Sequence, residues 1–254
     1  MTEFRPTRFE ILPAVVKNIL IINVLVALAQ YALPQSGLLE KNELENLFAL
    51  HTFQSELFKP WQFITHMFMH AGPSHIFGNM LALWMFGSVL ENLWGPKRFL
   101  IFYMASGLGA ALCHMLVLYY QNDVMINAYN SLTPNTLGAF LEKYNNGINL
   151  ARFENPAEAA LIINLSQATL GASGAVFGCL AAFGYLFPNT YIYIYFAIPI
   201  KAKWFVILYA ALELYLTIRA SAGDNVAHIA HLGGALVGII LVILWNKKNR
   251  KTFY

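Results

Sequence analysis

Long apolar runs constrain this chain most, because a helix needs about 20 apolar residues to cross roughly 30 Å of hydrocarbon. Six stretches qualify: about Ala14 to Leu33, Ser74 to Leu93 (approached through Trp61–Met69), Arg98 to Tyr120, Leu170 to Phe187 (preceded by the apolar Ala159–Leu165), Tyr195 to Thr217, and Val226 to Trp245. The composition agrees. Of 254 residues, 58% are hydrophobic and 11% charged, where a soluble domain has about 45–50% and about 25%. So few charges argue against a cytosolic globular enzyme, a disordered chain or a disulfide scaffold. The net charge of +3 is too small and too scattered for nucleic acid. Cys113 and Cys179 lie inside apolar runs and read as small packed hydrophobes rather than a bridge or a metal site. The expected fold is an all-α membrane protein: one six-helix domain with a tail to residue 13, a core from about 14 to 246 and a basic C-tail, 247–254.

The first run follows Arg5 and Arg8, as a signal peptide would. Its length and the poor cleavage sequence Ala-Gln-Tyr-Ala-Leu-Pro make it an anchor instead. Six crossings place both termini on one side. With that side cytoplasmic, Arg5, Arg8, Lys17, Lys97, Arg98, Lys201, Lys203, Lys247, Lys248, Arg250 and Lys251 lie inside. Lys41, Lys59, Lys143, Arg152 and Arg219 lie outside, so 11 of the 16 basic residues are cytoplasmic, as the positive-inside rule requires. The long connections Pro34–Pro60 and Gln121–Ala157 then fall outside. Leu38–Phe58 within the first is amphipathic and is expected to lie in the interface as short helices. The second, with Asn145-Asn146-Gly147, reads as a polar loop.

Polar groups at membrane depth are expensive and are functional candidates by default. Three clusters stand out. In the first, His66 and His70 are four apart, as are His75 and Asn79, and Gly72-Pro73 breaks the chain between the pairs. His75 and Asn79 share a helix face and could donate to a developing negative charge. The alternative is that they tie a loop to the bundle. The second cluster is Gly171-Ala-Ser173-Gly174-Ala-Val-Phe177-Gly178. A serine in a membrane helix usually bonds its own backbone, and Gly174-xxx-Gly178 usually means close helix packing. Ser173 nevertheless follows a loop, so the free N–H groups of a helix start could serve an oxyanion there. The third cluster is His228-Ile-Ala-His231-Leu-Gly-Gly234-Ala-Leu-Val-Gly238, where His231, Gly234 and Gly238 share a face. Alone, His231 reads as structural; beside a second glycine-lined helix carrying Ser173, it reads as a general base for a serine nucleophile. Depth is compatible, since His231 lies about six residues, or roughly 9 Å, into its run. Both runs are approached from the outer side.

These three elements, in this order, resemble the rhomboid family of intramembrane serine proteases, over roughly residues 55–245. The resemblance implies a six-helix core with a Ser–His dyad and no acidic third member. It implies Ser173 as nucleophile and His231 as base, with the Ser173 N–H, His75 and Asn79 as oxyanion hole. His66 and His70 match further histidines of the preceding loop, and Phe177 the aromatic beside the catalytic imidazole. Gly171, Gly174, Gly234 and Gly238 support the site, and Glu91 matches a structural acid of the second helix. The first outer loop would be the family's membrane-embedded loop and Arg219–Asn225 a cap over the site. The implied substrates are transmembrane proteins in the bilayer, whose helices must unwind before attack, so small residues near their outer ends should favour cleavage. No cofactor or metal is implied. The short N-terminus suits a bacterial inner membrane. Glu213 in the fifth run is left without a catalytic part. Competing readings are a metal-dependent membrane hydrolase or hydroxylase using His66-xxx-His70 or His228-xx-His231, a non-catalytic rhomboid-like protein that binds clients, and a transporter built on broken helices. Missing acids argue against the first, the presence of both Ser173 and His231 against the second, and the lack of a repeat against the third.

Overall fold

The computed structural model describes residues 9–40, 42–132, 156–194, 197–219 and 227–249. Among the described residues, four helices are long and apolar enough to span a membrane: Ala14–Gln35, Pro73–Trp94, Pro96–Ala128 and His228–Asn246. In chain order, α1 is Ala14–Gln35 and α2 Glu43–Phe48, while α3 (Gln62–Thr65) runs into a 3-10 turn at His66–Phe68. The second spanning rod consists of α4 (Pro73–Ala82), a π turn at Leu83–Gly87 and α5 (Ser88–Trp94). Pro73 sits at the first position of α4, where its missing N–H costs nothing. Then come α6 (Pro96–Leu132), α7 (Pro156–Ser166), α8 (Ser173–Leu186), α9 (Ala202–Arg219) and α10 (His228–Asn249).

Three of the expected runs differ from the helices that form. The third continues through the polar Gln121–Asn130, because nothing there breaks a helix, and reaches Leu132. The fourth is shorter: α8 has 14 residues and starts at Ser173, since Leu170–Ala172 is held extended or bent by the neighbouring loop. The fifth is not one helix from Tyr195. An antiparallel hairpin, β1 (Tyr191–Ile194) and β2 (Ile198–Lys201), pairs Tyr191 with Lys201 and Ile194 with Ile198 before α9 begins. Tyr-Ile-Tyr-Ile is a β-branched and aromatic alternation that favours a strand, although its hydropathy alone resembles a membrane helix. Lys203, Glu213 and Arg219 give the 18-residue α9 three charges. The Asn145-Asn146-Gly147 loop and the expected cap, apart from Arg219, lie outside the described residues.

The bundle is organised around α8. Ten of its 14 residues are buried, against three named in the 22 of α1. It packs on α6, α9 and α10, and its closest neighbour is α10. A Cβ on Gly234 would collide with the Gly174 carbonyl oxygen, and one on Gly238 would come within 2.8 Å of that of Gly178. The two glycine-lined faces therefore meet backbone to backbone. At the other end, Glu91 has a structural part. Its carboxylate accepts the N–H groups of Val15 at 2.9 Å and Val16 at 2.8 Å. These are otherwise unpaired donors at the start of α1, where an anion also complements the helix dipole. Cys113 and Cys179 are unpaired, and Cys179 is buried.

Candidate active site

The loop ahead of α8 is stitched to the first long connection. Leu50 and Thr169 exchange backbone hydrogen bonds of 2.8 Å in each direction, and the Gly171 N–H donates to the His66 carbonyl at 2.9 Å. Gly171 takes φ +128°, a region open to glycine, and a Cβ there would press to 2.8 Å from the His75 ring. The tie and the turn leave Ser173 as the first residue of α8. The backbone N–H groups of such a first turn have no helical acceptor.

His231 is the fourth residue of α10, three residues or about 4.5 Å from its start, so shallower in the helix than the sequence suggested. Its Nε2 lies 2.9 Å from Ser173 Oγ. The imidazole stacks on the Phe177 ring, with centroids 4.2 Å apart and planes within 6°. Phe177 in turn packs on Tyr209 at 4.9 Å. The glycine seam brings the helices close enough for this short pair. Gly174, one residue after the serine, meets Gly234, three residues after the histidine.

Ser173 and His231 line a cavity of about 690 Å³ together with His75, Asn79 and His66. Asn79 is buried, and its Nδ2 has no hydrogen-bond partner among the described residues. His75 Nδ1 accepts the Ala71 N–H at 3.3 Å, and its ring packs edge-on against His70 at 5.1 Å. His70 is buried beside it, and neither ring nitrogen has a well-formed hydrogen bond among the described residues. Its backbone is clamped by Gln30 of α1, which donates to its carbonyl at 3.2 Å and accepts its N–H at 2.9 Å. Burial lowers both loop histidines to about 4. For His66 the Gln62 carbonyl, 2.8 Å from Nδ1, partly opposes this; for His70 the neighbouring His75 adds to it. The two are therefore neutral, packed groups near pH 7.

Sequence reasoning missed Gln30, His114 and the position of Glu213. His114 of α6 also lines the cavity. Glu213 is buried, with Oε2 at 2.6 Å from His228 Nδ1 and 3.1 Å from His231 Nδ1. The second approach lies off the line of a hydrogen bond. The expectation that no acid stands beside His231 is thus corrected. The general cost of an acid at membrane depth was the available signal; its partners sit on another helix and could not be read from spacing. Glu213, His228 and His231 also hold one ligand atom each within 4.8 Å of one another.

The sequence matches the model of one protein family, described as the Rhomboid domain, over residues 57–248. It is 29% identical to RHOMBOID-like protein 12, mitochondrial, of Arabidopsis thaliana, across 75% of this chain and 47% of that protein. It is 28% identical to Rhomboid protein 1, mitochondrial, of Saccharomyces cerevisiae, across 68% and 38%. It is 25% identical to Rhomboid protease AarA of Providencia stuartii, across 78% and 61%. The chain spans about half the length of these relatives. Two of the three are mitochondrial, so the bacterial inner membrane finds no support here over other membranes. With its spanning helices, the molecule is an integral membrane protein. A match over three quarters of the sequence, carried on such a bundle, makes this chain a member of the rhomboid family.

Proposed function

We propose that this protein is an intramembrane serine endopeptidase that hydrolyses peptide bonds in or near the transmembrane segments of other membrane proteins. The observation that carries the reading is the 2.9 Å separation of Ser173 Oγ and His231 Nε2 at a helix start facing a cavity. That AarA, a similar protein, is named a protease supports it.

In this reading Ser173 Oγ attacks the scissile carbonyl carbon while its proton passes to His231 Nε2. The carbonyl π pair moves to oxygen, and the oxyanion is held by the Ser173 N–H, Asn79 Nδ2 and His75. Collapse of the intermediate breaks the C–N bond, and Nε2 returns the proton to the leaving amine. Water then attacks the acyl-enzyme by the same route. Phe177 keeps the imidazole plane fixed. The polar His66 and His70 shape the loop beside the oxyanion hole, and Gly171 lets His75 approach.

The six-crossing topology belongs to the same proposal, with α8 and α9 added to the four long helices and both termini on the cytoplasmic side. A 14-residue helix rises only about 21 Å, less than the hydrocarbon thickness, so its first residue lies below the surface if its other end reaches the far side. That puts the nucleophile at membrane depth, where the substrate's helix must open to expose a carbonyl.

The test is cleavage of a single-span reporter by purified protein in detergent. Ser173→Ala and His231→Ala should each lose at least about 10³-fold in kcat. A reporter with Gly and Ala at its outer end should be cleaved faster than its all-Leu version. Variants that cleave like the parent would remove the reading.

A further inference from the structure

A dyad leaves the far side of the imidazole without a partner, and in this chain that side is occupied. Glu213 Oε2 lies 3.1 Å from His231 Nδ1, and the same oxygen lies 2.6 Å from His228 Nδ1. Glu213 is only 3% exposed. It comes from the fourth turn of α9, and Thr217 Oγ1, four residues on, donates to the Glu213 carbonyl at 2.8 Å. Placing an acid in such surroundings is costly unless its charge is paired and bonded. Here both partners are imidazoles of α10, and one of them is the residue that faces Ser173.

We infer that Glu213 is a positioning residue for His231, the acidic third member of a Ser173–His231–Glu213 relay, with His228 as the clamp that fixes the carboxylate. This rests on the protease reading above and goes further than its dyad. His231 can take the Ser173 proton at Nε2 only if its own proton sits on Nδ1, and an acceptor at Nδ1 selects that tautomer. When Nε2 gains the serine proton, the ring becomes an imidazolium between two fixed neighbours. Glu213 keeps its negative charge throughout and takes no proton. The 2.6 Å bond from His228 Nδ1–H holds Oε2 in place with one lone pair, leaving the other for His231. The off-line approach to His231 is the loose geometry common in catalytic sites without substrate, which tightens as charge develops. The Phe177 stack fixes the plane of the ring, and Glu213 fixes its rotation and proton within that plane.

The experiment uses the full chain in detergent with the single-span reporter, comparing the parent, Ser173→Ala, Glu213→Gln and His228→Asn. Glu213→Gln should lower kcat by about 10²- to 10⁴-fold with KM within about threefold. His228→Asn should cost about tenfold, because Glu213 still faces His231. A Glu213→Gln variant with kcat within threefold of the parent, or with a loss confined to KM, overturns the inference. If Ser173→Ala is inert in that case, the protease reading stands and only this inference falls. Ser173→Ala cleaving like the parent removes both. Should Glu213→Gln not fold, the parent decides. In protein labelled with 15N-histidine, the resonance absent from His231→Ala should report a protonated Nδ1 and a bare Nε2, and the opposite tautomer overturns the inference. Activity that is lost with EDTA and restored by zinc would mean that Glu213, His228 and His231 hold a metal instead, and also overturns it.

Discussion

At the scale of single residues, the site is assembled from groups that are formally neutral. Ser173, His231, His75 and Asn79 line the cavity, and the buried carboxylate of Glu213 stands one layer behind them. Specific contacts place the Ser173–His231 pair. A backbone bond to His66 fixes Gly171, the turn fixes Ser173, and a parallel aromatic face fixes His231. The aromatic face gives a prediction. Stacked pairs contribute about 0.5–1.5 kcal/mol beyond area, and a freely rotating imidazole presents Nε2 less often. Phe177→Leu should therefore lower kcat about tenfold with little change in KM, whereas Phe177→Tyr should stay within about threefold, both read from reporter cleavage. Equal rates for Leu and the parent would mean that Glu213 and the glycine seam hold the ring unaided.

At the scale of elements, the seam between α8 and α10 decides whether Ser173 and His231 can meet at all. Small residues let membrane helices approach closely where larger ones hold them apart. Gly234→Ala places a methyl against the Gly174 carbonyl, which is backbone and cannot swing aside. Overpacking of this kind typically costs about 1–3 kcal/mol. The variant should unfold at a lower temperature in detergent and should lose cleavage even where it remains folded, because the two helices separate. Unchanged melting and activity would place the seam elsewhere. This scale also shows what could be read from sequence and what could not. Gly174, Gly178, Gly234 and Gly238 were legible because a face repeats every three or four residues within one helix. The hairpin at Tyr191–Lys201 was not, because Tyr-Ile-Tyr-Ile is as apolar as a membrane helix and hydropathy cannot separate the two. Glu213 was legible as costly but not as placed, since its distance from His231 depends on how α9 and α10 rotate against each other. The start of α8 was blurred by the apolar residues before it, and only the Leu50–Thr169 bridge and the Gly171 turn show why the helix begins at Ser173.

At the scale of the whole molecule, the apolar exterior and the polar interior serve one arrangement. Outer helices such as α1 present Ile21, Leu25 and Leu28 outward, while Glu91 closes the start of α1 from α5 and Gln30 grips the loop at His70. The most buried helix carries the serine. The Ser173–His231 pair is thereby held in a cavity within a bundle that belongs in lipid. The central claim is that Ser173 is a nucleophile activated by His231. It is tested most directly by treating the full chain in liposomes with a serine-directed fluorophosphonate and locating the adduct by mass spectrometry. One adduct, on Ser173, is expected in the parent, and none in His231→Ala. An unlabelled Ser173 in the parent, or labelling that His231→Ala leaves intact, would contradict it.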